Sequence, residues 1–285
     1  MIEDKDTNFV YLSKWLLAEH PQFCRTLTAV MTDFGIQWDW LKYTNDYWAR
    51  DYMPIQLGAG EFLKYRYNPD YLQLTQEDRE SITQCRRACK AASVTYRETP
   101  LVIDGGNVVL CGDYVVLTDK VFEENRYTKG DPEFVAILER ELGHKVILIP
   151  WTRHGALSDP NIDRYGHADG FIKYCGGNRI LMSNHGEEYP EEAASIREEL
   201  ERYGFEVTEM RFDVSNPNRD YNWAYINFLQ VGSNIFMPVF GIEEDRQARK
   251  YIKEAFPYCH ISCIRMRRVV DHGGALHCVS WNILK

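Results

Sequence analysis

The feature that most constrains the fold is an order of elements that recurs about every 55 residues, although the residues themselves do not repeat. Helix-type segments start at Pro21, Gln76, Asp131-Pro132, Pro190 and Glu244. Proline or acidic residues open four of them, and Gly143, Gly204 and Pro257 close three of them. The second is expected to run from Gln76, with Thr75 as its cap, to about Ala92. The third carries Phe134, Ile137, Leu138 and Leu142 on one face. A short β-type run follows each later helix: Val94–Arg97 leading into Leu101–Ile103, Lys145–Pro150, Phe205–Phe212 and His260–Arg267. A polar or glycine-rich block comes next, and then two strands joined by a tight turn. Asn107–Thr118 turns at Gly112-Asp113, Phe171–Met182 at Gly176-Gly177-Asn178, and Ile226–Val239 around Gly232-Ser233.

Five units of helix, strand, polar block and hairpin suit a closed ring with strands inside and helices outside. An open α/β sheet with hairpins is the alternative. No unit looks able to bury its apolar face alone, which favours closure. No low-complexity tract or Pro/Gly/Ser-rich linker interrupts the chain, so residues 1–285 are expected to form one continuous domain.

Composition excludes some partners. The chain has 42 Asp and Glu against 33 Lys and Arg, a net charge of −9, which argues against nucleic acid and is compatible with a small cationic substrate. No apolar run approaches the roughly 20 residues of a membrane span. Met-Ile-Glu-Asp-Lys-Asp at the amino end is not a signal-type core, so a cytoplasmic protein is expected. The eight cysteines are scattered, which suits reduced thiols rather than a disulfide framework, and the tight paired spacings of a zinc site are absent. A homo-oligomer is compatible with the sequence.

The polar blocks carry the reactive residue types. Block one is Asn45–Asp51, block two Asp104-Gly105-Gly106-Asn107, and block three holds Asp163, His167 and Asp169. Block four is Asn222–Asn227 and block five His272–Cys278. They follow their helices at similar offsets. A ring would therefore bring Asp51, Asp104, His167, Asp169, Asn227 and Cys278 around one cavity. Cysteine, histidine and carboxylates from distant parts of one chain make a nucleophile–base arrangement. Paired carboxylates match a guanidinium, which is planar, cationic and a poor electrophile at carbon because its charge is delocalised. A thiolate could attack that carbon, and an imidazole could protonate departing ammonia and then activate water. Gly105-Gly106 lacks the Lys-Ser/Thr of a phosphate loop. Trp48, Trp223 and Trp281 suit the core, and one of them, Trp48 by choice, is expected to flank a guanidinium. His272 and His277 are expected to pack or line the pocket, and Arg50 to be a structural neighbour of Asp51.

Five stretches, in order, carry a family likeness: Trp48-Ala-Arg50-Asp51-Tyr-Met-Pro54, Asp104-Gly-Gly-Asn107, Gly166-His167-Ala-Asp169, Tyr225-Ile-Asn227-Phe228 with Pro238-Val-Phe240-Gly241, and Gly273-Gly-Ala-Leu-His277-Cys278. Together they resemble the guanidino-group-modifying enzymes of the pentein fold, in the agmatine deiminase and bacterial peptidylarginine deiminase branch. The resemblance implies a fivefold pseudosymmetric α/β propeller. It implies a deiminase, free of cofactor and metal, that converts a terminal guanidine to a ureido group plus ammonia through a covalent cysteine amidino intermediate. Agmatine is the best single substrate by this likeness. Arginine, peptidylarginine or methylated arginine, amidinotransfer, and non-catalytic guanidine binding stay open. At the matching positions Cys278 would be the nucleophile, His167 the general acid and base, and Asp104 the carboxylate holding His167. Asp51 and Asp169 would clamp the guanidinium, and Asn227 would line the site. The chain departs from the family in having Asp104 where Glu is usual, and His272 and Ala275 within the glycine run. The longer amino-terminal entry segment of typical agmatine deiminases, with its own tryptophan-containing motif, is not recognisable in it. A substrate carboxylate would want a basic partner, for which Arg153, Arg164 and Arg219 are candidates.

Overall fold

A computed structural model describes residues 1–154 and 165–285 of the protein. Among them are five three-stranded sheets of one design. In each, an antiparallel hairpin is followed by a helical connection, and the chain returns as a third strand parallel to the second. The second sheet joins Ile55–Gly58, Glu61–Arg66 and Arg97–Val102. The third joins Val109–Cys111, Tyr114–Thr118 and Lys145–Ile149. The fourth joins Ile172–Tyr174, Arg179–Met182 and Glu206–Glu209, and the fifth Leu229–Val231, Asn234–Val239 and His260–Arg265. The first sheet splits its hairpin between the two ends of the chain. Phe9–Ser13 pairs in parallel with Gln37–Leu41 and antiparallel with Ser280–Ile283, in register from Phe9↔Ile283 to Leu12↔Ser280. That pairing closes a fivefold pseudosymmetric α/β propeller.

Helices Pro21–Asp33, Pro132–Leu142, Pro190–Arg202 and Glu244–Ala255 begin where the sequence places them. Proline opens three of them, Asp131 accepts from the N–H groups of Glu133 and Phe134, and Gly143 ends its helix at φ +73°. Each buries one stripe at helical spacing, such as Cys24, Leu27 and Met31, or Ala193, Ile196 and Leu200. The single helix expected from Gln76 to Ala92 is instead two, Gln76–Ser81 and Arg86–Ala91. The chain turns extended at Ile82, which buries Ile82 and Thr83 beneath block one. Asn45 holds the break open: its N–H donates to Thr83 Oγ1 (2.8 Å) and its amide donates to the carbonyls of Glu80 (2.9 Å) and Ile82 (3.3 Å). The hairpin Ile55–Gly58/Glu61–Arg66 has no counterpart in the pattern read from sequence. Its register shifts between Gln56 and Gly58, which blurs the two-residue alternation. No helix of the described residues is long and apolar enough to cross a membrane.

The closing strand depends on the side chains packed beneath it. Leu12 is fully buried beside Leu16, Leu27 and Met31. Leu12→Ala is expected to cost about 2–5 kcal/mol in urea unfolding, whereas Leu74→Ala, on an exposed side chain, should stay within about 0.5 kcal/mol.

Candidate active site

The first four polar blocks precede the hairpins of their sheets and fold as short turns of helix, Ala49–Tyr52, Gly105–Asn107, Ala168–Gly170 and Asn222–Ile226, whereas block five is a run of turns before Ser280–Ile283. The blocks are hydrogen-bonded to one another in a circle. Gly106 N–H donates to Asp51 Oδ1 at 3.0 Å, linking blocks one and two. Asn107 Oδ1 accepts from Ala168 N–H at 3.1 Å, linking two and three. The Asn227 amide donates to the Asp169 carbonyl at 3.3 Å, linking three and four. Asn227 Oδ1 accepts from Ala275 N–H and Cys278 N–H, both at 3.2 Å, linking four and five. Arg50 N–H donates to the Cys278 carbonyl at 3.1 Å, which returns to block one. Asn107 and Asn227 thus do the same work in two units, each fastening the backbone of the next block.

The circle brings Asp51, Asp104, His167, Asp169, Asn227 and Cys278 together, all buried. His167 Nε2 lies 2.9 Å from Asp104 Oδ2, so that carboxylate fixes the proton on Nε2 and leaves Nδ1 facing Asp51 Oδ1 at 3.6 Å. Cys278 Sγ lies 3.7 Å from Asp169 Oδ2. Gly106 sits where these residues converge. A Cβ there would lie 2.7 Å from Asp51 Oδ1, 2.9 Å from His167 Nδ1 and 3.2 Å from Asp169 Oδ1, so only glycine leaves the space open.

Burial sets the charge states. It works against a protonated His167, yet Asp51 and the hydrogen bond to Asp104 raise it to about 9. Burial pushes the Asp51 carboxyl up, and Asp169 and Asp104 add to this against His167, bringing it to about 7. Burial would raise Asp169 too, but its bond to His277 holds it below the usual carboxylate range. Asp104 is likewise held down against burial, by Lys120 and His167. Burial, then the charges of Asp169 and Asp51, push the Cys278 thiol well above its ordinary value. Without a ligand the Cys278 thiol is therefore held neutral beside the Asp169 carboxylate.

Lys120 stood outside the sequence reading of the site, and His277, expected there to pack or line the pocket, holds Asp169. His277 Nδ1 lies 2.6 Å from Asp169 Oδ2, and burial with the nearby charges of Arg50 and Lys173 lowers this imidazole to about 4, so it donates as a neutral group. Its place beside Cys278 was the available signal. Lys120 lies 3.1 Å from Asp104 Oδ2, and in sequence its Asp119-Lys120 context looks like ordinary surface charge. Trp48 packs against Gly274, where any Cβ would collide with its ring, and its own ring meets Tyr47 at 4.7 Å. Trp281 is core, stacked on Tyr11 and donating to the Pro54 carbonyl at 3.0 Å. Arg50 turns away from Asp51 to bond Asn282. Arg153 pairs with Asp70, and Arg219 lies 3.7 Å from Glu188. Asp163 and Arg164 lie outside the described residues. A separate cavity of about 410 Å³ borders Asp169 and His277 together with Asp4, Arg50 and Lys173, without reaching Cys278 or His167.

Removing one negative charge beside the thiol should free it. Asp169→Asn is expected to speed alkylation of Cys278 by iodoacetamide at pH 8 by about tenfold, followed by peptide mass spectrometry. An unchanged or slower rate would contradict the electrostatic assignment.

Relatives place this geometry. A protein of Vibrio parahaemolyticus is 23% identical over 278 residues, which is 84% of this chain and 76% of that one. The agmatine deiminase of Ectopseudomonas mendocina is 23% identical over 218 residues, 65% of this chain and 58% of that enzyme. Among solved structures, a substrate-bound agmatine deiminase of C. jejuni aligns over 100% of this chain and 96% of its own, with TM-score 0.76 and 17% identity. The sequence pattern of the Porphyromonas-type peptidyl-arginine deiminases matches residues 16–283. The chain belongs to that family, and its fold is the pentein propeller.

Proposed function

We propose that the protein is a guanidine deiminase, one catalytic domain over residues 1–285, acting on agmatine in the cytoplasm. The observation that carries the reading is the convergence of His167 and the Asp51 and Asp169 carboxylates about Gly106, with Cys278 Sγ 3.7 Å from Asp169 Oδ2. Asp51 and Asp169 are the natural partners of a guanidinium, each able to accept two of its N–H groups. A cation bound there also offsets the charges that hold the Cys278 proton, so binding favours the thiolate and the thiol proton passes to solvent.

The steps balance as follows. The Cys278 thiolate adds to the guanidinium carbon, giving a neutral tetrahedral adduct. His167 Nδ1–H protonates one amino group, the C–N bond breaks, and ammonia leaves behind a cationic S-amidino cysteine and a neutral imidazole. His167 then takes a proton from water as its oxygen bonds to that carbon. The second adduct collapses to the ureido product, the C–S bond breaks to restore the thiolate, and the released proton converts ammonia to ammonium. Asp104 keeps His167 turned with Nδ1 toward the reacting atoms, His277 steadies Asp169, and Asn227 fixes the backbone that carries the sulfur.

Agmatine is favoured over arginine by three cations among the described residues. Arg153 is committed to Asp70, Arg219 faces Glu188, and Lys173 pairs with Asp4 at 2.7 Å, so each already has a carboxylate partner. The agmatine deiminase name of the Ectopseudomonas relative supports the same substrate.

Ammonia release from agmatine, arginine, methylated arginines and arginyl peptides decides the substrate. Agmatine should be turned over best, and no turnover of any guanidine would sink the reading. Cys278→Ala should abolish turnover while retaining agmatine binding by calorimetry. The clamp needs ionised Asp51 and the acid needs protonated His167. Activity as kcat/KM should therefore rise as pH passes about 7 and fall as pH passes about 9, a bell set by the unliganded site.

A further inference from the structure

Lys120 opens the short helix Lys120–Glu124 just after strand Tyr114–Thr118, and its side chain is only 1% exposed. A buried ammonium is costly unless carboxylates surround it. Lys120 Nζ lies 3.1 Å from Asp104 Oδ2, 2.8 Å from Glu124 Oε1 and 3.4 Å from Asp70 Oδ1, and 4.9 Å above the Tyr71 ring. Asp104 Oδ2 is also the oxygen that accepts from His167 Nε2, whereas Asp104 Oδ1 is buried without a partner. One oxygen thus stands between the lysine and the histidine. We propose that Lys120 is a positioning residue that, through Asp104 Oδ2, aims that carboxylate at His167 Nε2 and limits how tightly His167 Nδ1 holds its proton.

The inference rests on the proton-carrying role given to His167 above. A group that must release a proton in one step and take one up in the next works best when neither state dominates. His167 is faced by Asp51 and Asp169 from blocks one and three, by Asp104 from block two, and by Glu124 and Lys120 from the short helix. The Tyr71 and Tyr165 rings each lie 6.1 Å from its own. Every carboxylate in that set strengthens proton binding, and Lys120 opposes them. Asp70 is already paired with Arg153, so Glu124 is the main competitor of Asp104 for the lysine. Removing Lys120 and removing Glu124 should therefore move His167 in opposite directions.

The test is an NMR titration of the His167 imidazole in the ¹⁵N-labelled full chain without substrate. The midpoint should rise by about one pH unit in Lys120→Met, fall in Glu124→Gln, and stay near the wild-type value in Lys120→Arg. For the turnover assay, kcat at neutral pH should drop about tenfold in Lys120→Met, recover in Lys120→Arg, and leave KM nearly unchanged. An unshifted midpoint in both Lys120→Met and Glu124→Gln overturns the proposal. If Lys120→Met does not fold, an unchanged or raised midpoint in Glu124→Gln overturns it alone. The titration needs no turnover, so it fails or stands separately from the deiminase reading.

Discussion

Three carboxylates buried around one imidazole are the constraint from which the rest of the site follows. Asp51, Asp104 and Asp169 are each 5% exposed or less. An isolated buried carboxylate is too unfavourable to persist ionised, so each must be compensated. Asp104 has the lysine and the histidine, and Asp169 has a neutral His277. Asp51 has the Gly106 N–H and a histidine nitrogen at 3.6 Å, the weakest set of the three, and its carboxyl is the one driven up to about 7. The protein alone leaves that charge incompletely balanced. A flat cation with several N–H donors, such as the guanidinium of the proposed function, would complete it.

The same imbalance explains why the thiol can be quiet and reactive by turns. Burial and two carboxylates hold the proton on Cys278 when the site is empty. Under the proposed function, a bound cation would offset that negative charge and favour the thiolate. Neither state needs a moving part, because the circle of blocks is fixed by backbone groups clasped by Asn107, Asn227 and Asp51.

Much of this was legible in the chain because helix starts are punctuated locally. Pro132 after Asp131, Pro190 before Glu191, and Gly143 after Leu142 act on their own neighbours, so the spacing of the units survives without sequence repetition. The candidate site residues were legible for a related reason: they sit at similar offsets in each unit, and similar offsets converge in a ring. What stayed hidden depends on distant partners. The break at Ile82 exists because Asn45, in another block, satisfies the loose helix end. Lys120 looks solvated until Asp70, Asp104 and Glu124 are folded around it. Gln56 hides a strand by bulging, and it also ties down Leu284 at the closure of the ring through a pair of hydrogen bonds.

The split first sheet has a consequence in time. While a chain is being made, Phe9–Ser13 and Gln37–Leu41 can form only a two-stranded parallel pair with one bare edge, and such an edge is a template for wrong partners. The segment that covers it, Ser280–Ile283, follows directly behind Cys278. Pairing Ser280–Ile283 with Phe9–Ser13 and setting Cys278 beside Asp169 are therefore one event, and until it happens the first sheet keeps an edge open to wrong partners.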